Sequence, residues 1–331
     1  MCWQGPNAMK PVDSETSARD TPPAGRCYAL YGLRLRSDFP FRSHLVASQG
    51  PADLIFTSLP FDRAEREEPG AEGLEPGVYL VGEGEREWLY YPRLFDFLLT
   101  PGRIECRWRP PEERSRIERA LLGTVLAYWL ERRGWLALHA AAVEVEGQGL
   151  AFLADNQSGK TTLAISLLQA GYALITDNLL AIEPGGERPL CHAGLPQMRL
   201  WPEHGRQLLP GLPPGQANEP DTGKWVIPLT AGLGRLAQGP TPLGRIYLPT
   251  RSASADRIRI LPLSPAEALR ELQGKSFTPT LAEAAGHQAR RFQTLARLLH
   301  QVPVHRLEYG SGIEQLPRVR EALLEDLRQA P

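Results

Sequence analysis

The stretch Leu150-Ala-Phe-Leu-Ala-Asp-Asn-Gln-Ser-Gly-Lys-Thr-Thr-Leu163 sets a compact apolar run against a polar loop that opens a helix-like segment. Against the pattern G-x-x-x-x-G-K-[ST] it matches at Gly159, Lys160 and Thr161, with Ala154 at the first glycine. A loop of this spacing turns its backbone N–H groups inward around an anion, while the helix dipole favours negative charge at the same place. Asp155, Asn156, Gln157, Ser158, Gly159 and Thr162 would form that cradle, Lys160 would reach terminal phosphates, and the Thr161 hydroxyl would serve Mg²⁺. Only four of the 37 basic residues are lysines (Lys10, Lys160, Lys224 and Lys275), so a lysine here is not filler. Ala154 weakens the match only if that position needs a positive φ, where a Cβ costs about 1 kcal/mol. The plain alternative, in which Ser158 or Thr161 merely caps a helix, requires neither Lys160 nor the strand before it.

The next acid at the end of an apolar run is Asp177, in Ala-Leu-Ile-Thr-Asp-Asn178. A strand–loop–helix–strand unit of this length brings the second strand's carboxyl end beside the loop. A carboxylate there can hold the metal or accept the proton of an attacking hydroxyl. The competing reading is a solvated turn aspartate. An ABC-type ATPase matches the loop by spelling, but no L-S-G-G-Q-like segment or Asp-Glu strand follows.

The elements that must place these groups are read from pattern. Met1 to Gly25 is poor in large apolar residues and is expected to be a flexible tail. Residues 26–110 carry short β runs (Tyr28 to Leu35, Asp53 to Phe56, Val78 to Val81, Trp88 to Tyr91, Ile104 to Trp108) and an acidic loop at Ala64 to Gly77, which reads as a small β-rich domain. Pro110 and Pro111 are expected to open a helix that stops near Arg133 and Gly134, with Ile117, Leu121, Val125 and Trp129 as its apolar stripe and Glu and Arg on the remainder. After it come a β-hairpin over Leu136 to Leu153, a helix from Lys160 to Ala170, and strands Tyr172 to Ile175 and Leu179 to Ile182. Capping boxes at Ser264–Glu267 and Thr280–Glu283 start two further helices, and a last helix covers Glu314 to Gln329.

With a formal net charge of −1, no global field drives the chain onto nucleic acid or an anionic membrane. At 42% hydrophobic and 23% charged it can bury a core. Cys2, Cys27, Cys106 and Cys191 are scattered, without disulfide or zinc spacing, and no signal-peptide-like or membrane-spanning run occurs. A cytoplasmic location is the expectation, and a homo-oligomer stays open.

His139-Ala-Ala-Ala followed by the hairpin, the loop Ala154 to Thr161, and Thr176-Asp177-Asn178 together resemble the HPr kinase/phosphorylase family and its shorter relatives, some of which phosphorylate peptide precursors such as lasso peptides. The likeness runs loosely from Leu136 to the C-terminus and is motif-specific only from Leu136 to Glu183. It implies an α/β phosphate-loop kinase domain of the HPr kinase/phosphoenolpyruvate carboxykinase type over 111–331, behind the β-rich N-terminal domain. It also implies ATP and Mg²⁺ as cofactors and transfer to a serine hydroxyl of a peptide or protein. Carried over by position, Lys160 contacts β- and γ-phosphates, Thr161 and Asp177 serve the metal, Asp177 is the base, and His139 stands beside the site. Lys224 is a further ligand candidate for phosphate or acceptor, and Arg199 a weaker one. Ala154, Asn178 and Thr162 depart from the family pattern, the last two against phosphorolysis. A small-molecule acceptor and a non-catalytic nucleotide-binding subunit remain as alternatives. Lys10 and Lys275 are expected to play no part.

Overall fold

In a computed structural model of the chain, residues 25–60, 78–83, 85–92, 94–108, 114–155, 158–211, 222–252 and 257–329 are described. The expected tail before residue 25, the acidic loop, Pro110, Pro111, Asn156 and Gln157 lie outside them. The architecture is mixed α/β, with an eight-stranded sheet, a nine-stranded sheet and a two-stranded ribbon.

The first sheet holds the strands up to Arg103–Trp108. Its outer pairs are antiparallel, and Leu54–Pro60 runs parallel to both Leu33–Ser37 and Arg103–Trp108. The expected run Tyr28 to Leu35 is instead two strands, Arg26–Leu30 and Leu33–Ser37. Between them Tyr31 (φ 51°) and Gly32 (φ 74°) form a tight left-handed turn, the conformation that suits a two-residue hairpin. Phe95–Thr100, a strand not anticipated from sequence, fills the space between Arg86–Tyr91 and Arg103–Trp108.

The helical segment that follows comprises Arg114–Ala120, a π-helical turn Leu121–Val125, and Leu126–Arg132. Its expected stripe is buried, but so are Leu122, Leu126, Ala127, Tyr128 and Leu130. The physical reason is that it packs in one apolar cluster with the first sheet (Leu35, Phe56, Phe97) and with Ala137, Leu179 and Ala181 of the second. Two of the glutamates expected on a wet face are accordingly enclosed and partnered: Glu118 accepts the N–H groups of Arg42 and Ser43, and Glu131 accepts the Thr278 hydroxyl.

At the centre of the second sheet, Leu136–Val145 pairs antiparallel with Gln148–Leu153, Ala173–Thr176 and Leu179–Glu183. Gln148–Leu153 lies parallel to Thr241–Ser252, which lies parallel to Val304–Gly310. Three strands therefore point their carboxyl ends the same way, and in open α/β sheets that edge is where ligands bind. The helix after the loop, Lys160–Leu168, buries Leu163, Ala164, Ile165, Leu167 and Leu168 against the sheet and the C-terminal helix Leu316–Arg328.

The Ser264 capping box forms as expected, with Glu267 N–H on the Ser264 hydroxyl and Ser264 N–H on the Glu267 carboxylate. The Thr280 box does not. Pro279 takes the first helical position, Thr278 becomes the cap residue, and its hydroxyl donates to Glu131 at 3.0 Å instead of capping. Among the described residues no helix is long and apolar enough to cross a membrane.

Candidate functional site

Leu153 ends its strand inside the core, and the chain re-enters regular structure at Lys160, with Gly159 as the cap residue at φ 96°. That φ explains the glycine, as does the space: an added Cβ would stand 2.7 Å from Tyr309 Oη. Ala154, by contrast, does not adopt a positive φ, so the departure from the motif carries no backbone strain. The first N–H groups of this helix have no intrahelical acceptor. Lys160 folds back over it, donating from Nζ to the carbonyl oxygens of Ala154 (2.7 Å) and Asp155 (3.0 Å). Burial of this ammonium lowers its pKa to about 8, against the opposing pull of Asp177 and Asp155.

Asp177 follows the strand Ala173–Thr176 and meets the first turn of the loop helix. Thr161 Oγ1 donates to Asp177 Oδ1 at 2.8 Å, and the Arg199 N–H donates to Oδ2 at 2.7 Å. Burial raises the Asp177 pKa to about 6, although both hydrogen bonds favour the carboxylate. The carboxylate is thus not the solvated turn residue of the competing reading.

A cleft of about 240 Å³ opens over these groups. It is lined by His139, Ser158, Gly159, Lys160, Thr161, Thr162, Asp177, Asn178, Arg199, Trp201, His204, Lys224, Arg251 and, from the helix between the sheets, Arg119. Five basic side chains (Arg119, Lys160, Arg199, Lys224 and Arg251) face one carboxylate among the lining residues described, a balance suited to a polyanion. Lys224 holds its ammonium 5.3 Å above the Trp201 ring, and it is Arg206 that covers Trp225. His139 meets Phe277 edge-on, with ring centres 5.8 Å apart. The His139 backbone N–H donates to the Lys275 carbonyl oxygen.

Asp155 does not join this cleft. It lines an adjoining one of about 600 Å³, which shares Ser158 and Arg251 with the first, together with Leu248, Glu271, Lys275 and Arg306, at the carboxyl ends of the three parallel strands. There its Oδ1 receives Lys275 Nζ at 2.6 Å, and this contact holds the Asp155 carboxyl below the usual carboxylate range. Lys275, expected to be idle, therefore stands at the loop. The available sequence signal was only its rarity as one of four lysines. Asn156 and Gln157, the other expected cradle residues, lie outside the described residues.

A second residue missed by sequence reading supports the site from below. Tyr31, at the hairpin tip of the first sheet, is buried under Thr176, Asp177, Asn178 and Arg199, and its N–H donates to the Ala193 carbonyl oxygen at 2.6 Å. Gly194 is squeezed between that ring and Thr176: an added Cβ would lie 2.8 Å from Tyr31 Cε1 and 2.7 Å from Thr176 Oγ1.

Two hard oxygen donors, the Thr161 hydroxyl and the Asp177 carboxylate, in contact beside a cationic loop fit a Mg²⁺ ion that shares phosphate oxygens. No group of three or more His, Cys, Asp or Glu residues suited to holding a metal unaided occurs among the described residues.

No protein-family model matches the chain, and no curated protein matches it in sequence. Among solved structures, the Hpr(Ser) kinase/phosphatase from Coxiella burnetii is similar over 58% of this chain and 95% of its own, with 11% identity and a TM-score of 0.32, a distant structural similarity.

Proposed function

We propose that the chain is an ATP-dependent kinase that transfers the γ-phosphoryl group to a serine hydroxyl of a peptide or protein. The observation that carries this reading is the Thr161–Asp177 contact at the N-terminus of the loop helix, beside the buried Lys160. Thr161 and Asp177 would hold Mg²⁺, which neutralises phosphate charge when bound. Loop amides, Lys160 and the cations of the smaller cleft bind and orient the triphosphate. Asp177 accepts the proton of the acceptor hydroxyl. The serine hydroxyl oxygen bonds to the γ-phosphorus as the bond from that phosphorus to the β-phosphate oxygen breaks, and ADP leaves. His139 and Asn178 line the cleft together with Asp177. The first sheet, joined to the site through Tyr31, is the surface on which the acceptor is recognised.

Incubation of the purified chain with labelled ATP, Mg²⁺ and serine-containing peptides should yield phosphoserine. Lys160→Ala should abolish it while the melting temperature is kept. Equal transfer by Lys160→Ala would overturn the mechanism, and label appearing on free serine or metabolites in place of peptides would overturn the acceptor class.

A further inference from the structure

An acid inside a phosphate loop has the wrong sign for its surroundings, yet Asp155 is the residue on which two lysines converge. Its carbonyl oxygen accepts Lys160 Nζ at 3.0 Å, and its carboxylate accepts Lys275 Nζ at 2.6 Å. The Lys275 ammonium is near enough to disfavour the charge on Lys160.

We propose that Lys275 is a second phosphate-binding lysine of this site, and that the Asp155 carboxylate, which accepts its ammonium, competes with phosphoryl oxygen for it. The proposal rests on the ATP-dependent reading above. Incoming phosphate takes Lys275 from the Asp155 carboxylate and Lys160 from the carbonyl oxygens of Ala154 and Asp155.

Three observations support the exchange. First, the backbone at Lys275 is fixed independently of its side chain. Lys275 N–H closes on Leu272 O, Lys275 O receives His139 N–H, and Phe277 N–H donates to Ala137 O. The ammonium is therefore presented from a rigid strip against the central strand and can change partner without the chain moving. Second, the two partners are unequally committed: the Lys275 side chain is 17% exposed and that of Asp155 84% exposed. A carboxylate already in water gives up such a pair at small cost, since solvent takes over its charge. Third, the larger cleft has few competing sinks for the ammonium. Its other described acid, Glu271, faces Arg306 at 3.6 Å.

The test is equilibrium binding of ATP, inorganic pyrophosphate and AMP to the full chain, with melting temperature as the folding control. Lys275→Met should weaken ATP and pyrophosphate about tenfold while changing AMP by less than about twofold, because the lost cation serves the terminal phosphates. Asp155→Asn should tighten both by about threefold, since it removes the competitor and leaves the lysine. Unchanged pyrophosphate binding by Lys275→Met, or an equal loss for AMP and ATP, would overturn the proposal. So would weaker binding by Asp155→Asn, which decides the matter even where Lys275→Met does not fold. If the unaltered chain binds neither ATP nor pyrophosphate, the kinase reading itself falls. Tight binding that is indifferent to both substitutions overturns only the role of Lys275.

Discussion

Thr161 Oγ1 and Asp177 Oδ1 lie 2.8 Å apart, so the first turn of the loop helix and the end of the following strand share one hydrogen. Burial holds the Asp177 pKa near 6, above its ordinary value. A raised carboxyl pKa means that the fold binds this proton better than the unfolded chain does. Its contribution to stability is complete below about pH 4 and is lost as pH rises through about 6. At neutral pH the ionised group is therefore a cost. Asp177→Asn keeps both contacts, its amide donating to Thr161 and its oxygen accepting from Arg199. In metal-free buffer at pH 7 it should stabilise the protein by on the order of 1 kcal/mol in urea unfolding, and phosphoryl transfer should disappear.

Lys160 shifts the other way. With its pKa lowered to about 8, it begins to lose charge at a pH where an exposed lysine keeps it. Because the buried ammonium is a cost to the fold, its stability contribution improves as pH rises from about 8 towards the unfolded value of 10.5, while phosphate affinity falls over the same range. Titration of pyrophosphate binding between about pH 7 and 9.5 in magnesium-free buffer should show weakening above about 8. Lys160→Arg, which does not titrate there, should give a flat profile and poor turnover, since a planar guanidinium does not take the place of a compact ammonium.

The two ends of the loop should respond oppositely to glycine and alanine. Gly159→Ala places a Cβ at φ 96° and 2.7 Å from Tyr309 Oη, and should cost about 1 to 3 kcal/mol and most of the nucleotide affinity. Ala154→Gly, which restores the common spelling of the motif, should bring no gain in affinity because Ala154 has no positive φ. It should instead destabilise by about 0.5 to 1 kcal/mol through the freer unfolded chain. Calorimetric melting with and without ATP measures both.

Gly194→Ala tests the support beneath the site. The new methyl group would meet Thr176 Oγ1 and the Tyr31 ring at under 3 Å. The expected cost is about 1 to 3 kcal/mol. Turnover should fall further than ATP affinity, because Asp177 is displaced whereas the loop is not.

Much of the site was legible because its groups are local in sequence: strand, loop, Lys160, helix and Asp177 form one unit whose spacing dictates proximity. Lys275 was not legible, since 120 residues separate it from Asp155 and only the pairing of its backbone with the central strand brings them together. Tyr31 was hidden in an apparent continuous β run that its positive φ breaks. The Thr280 box failed because Pro279 takes the first helical position, which puts Thr280 inside the first turn and leaves Thr278 as the cap residue, its hydroxyl donating to buried Glu131. Periodicity found the stripe Ile117 to Trp129 but not the burial of its opposite side, which depends on a second sheet covering it.

The helical segment from Arg114 to Arg132, covered on two sides, also governs how the chain can be divided. A fragment beginning after it would bare the apolar faces of Ala137, Leu179 and Ala181, and one ending before it would bare Phe56 and Phe97. Neither half carries a finished surface at that seam. The two sheets therefore belong to a single melting unit, and a split-protein or fusion design has to place its break in an outer loop instead of between the sheets.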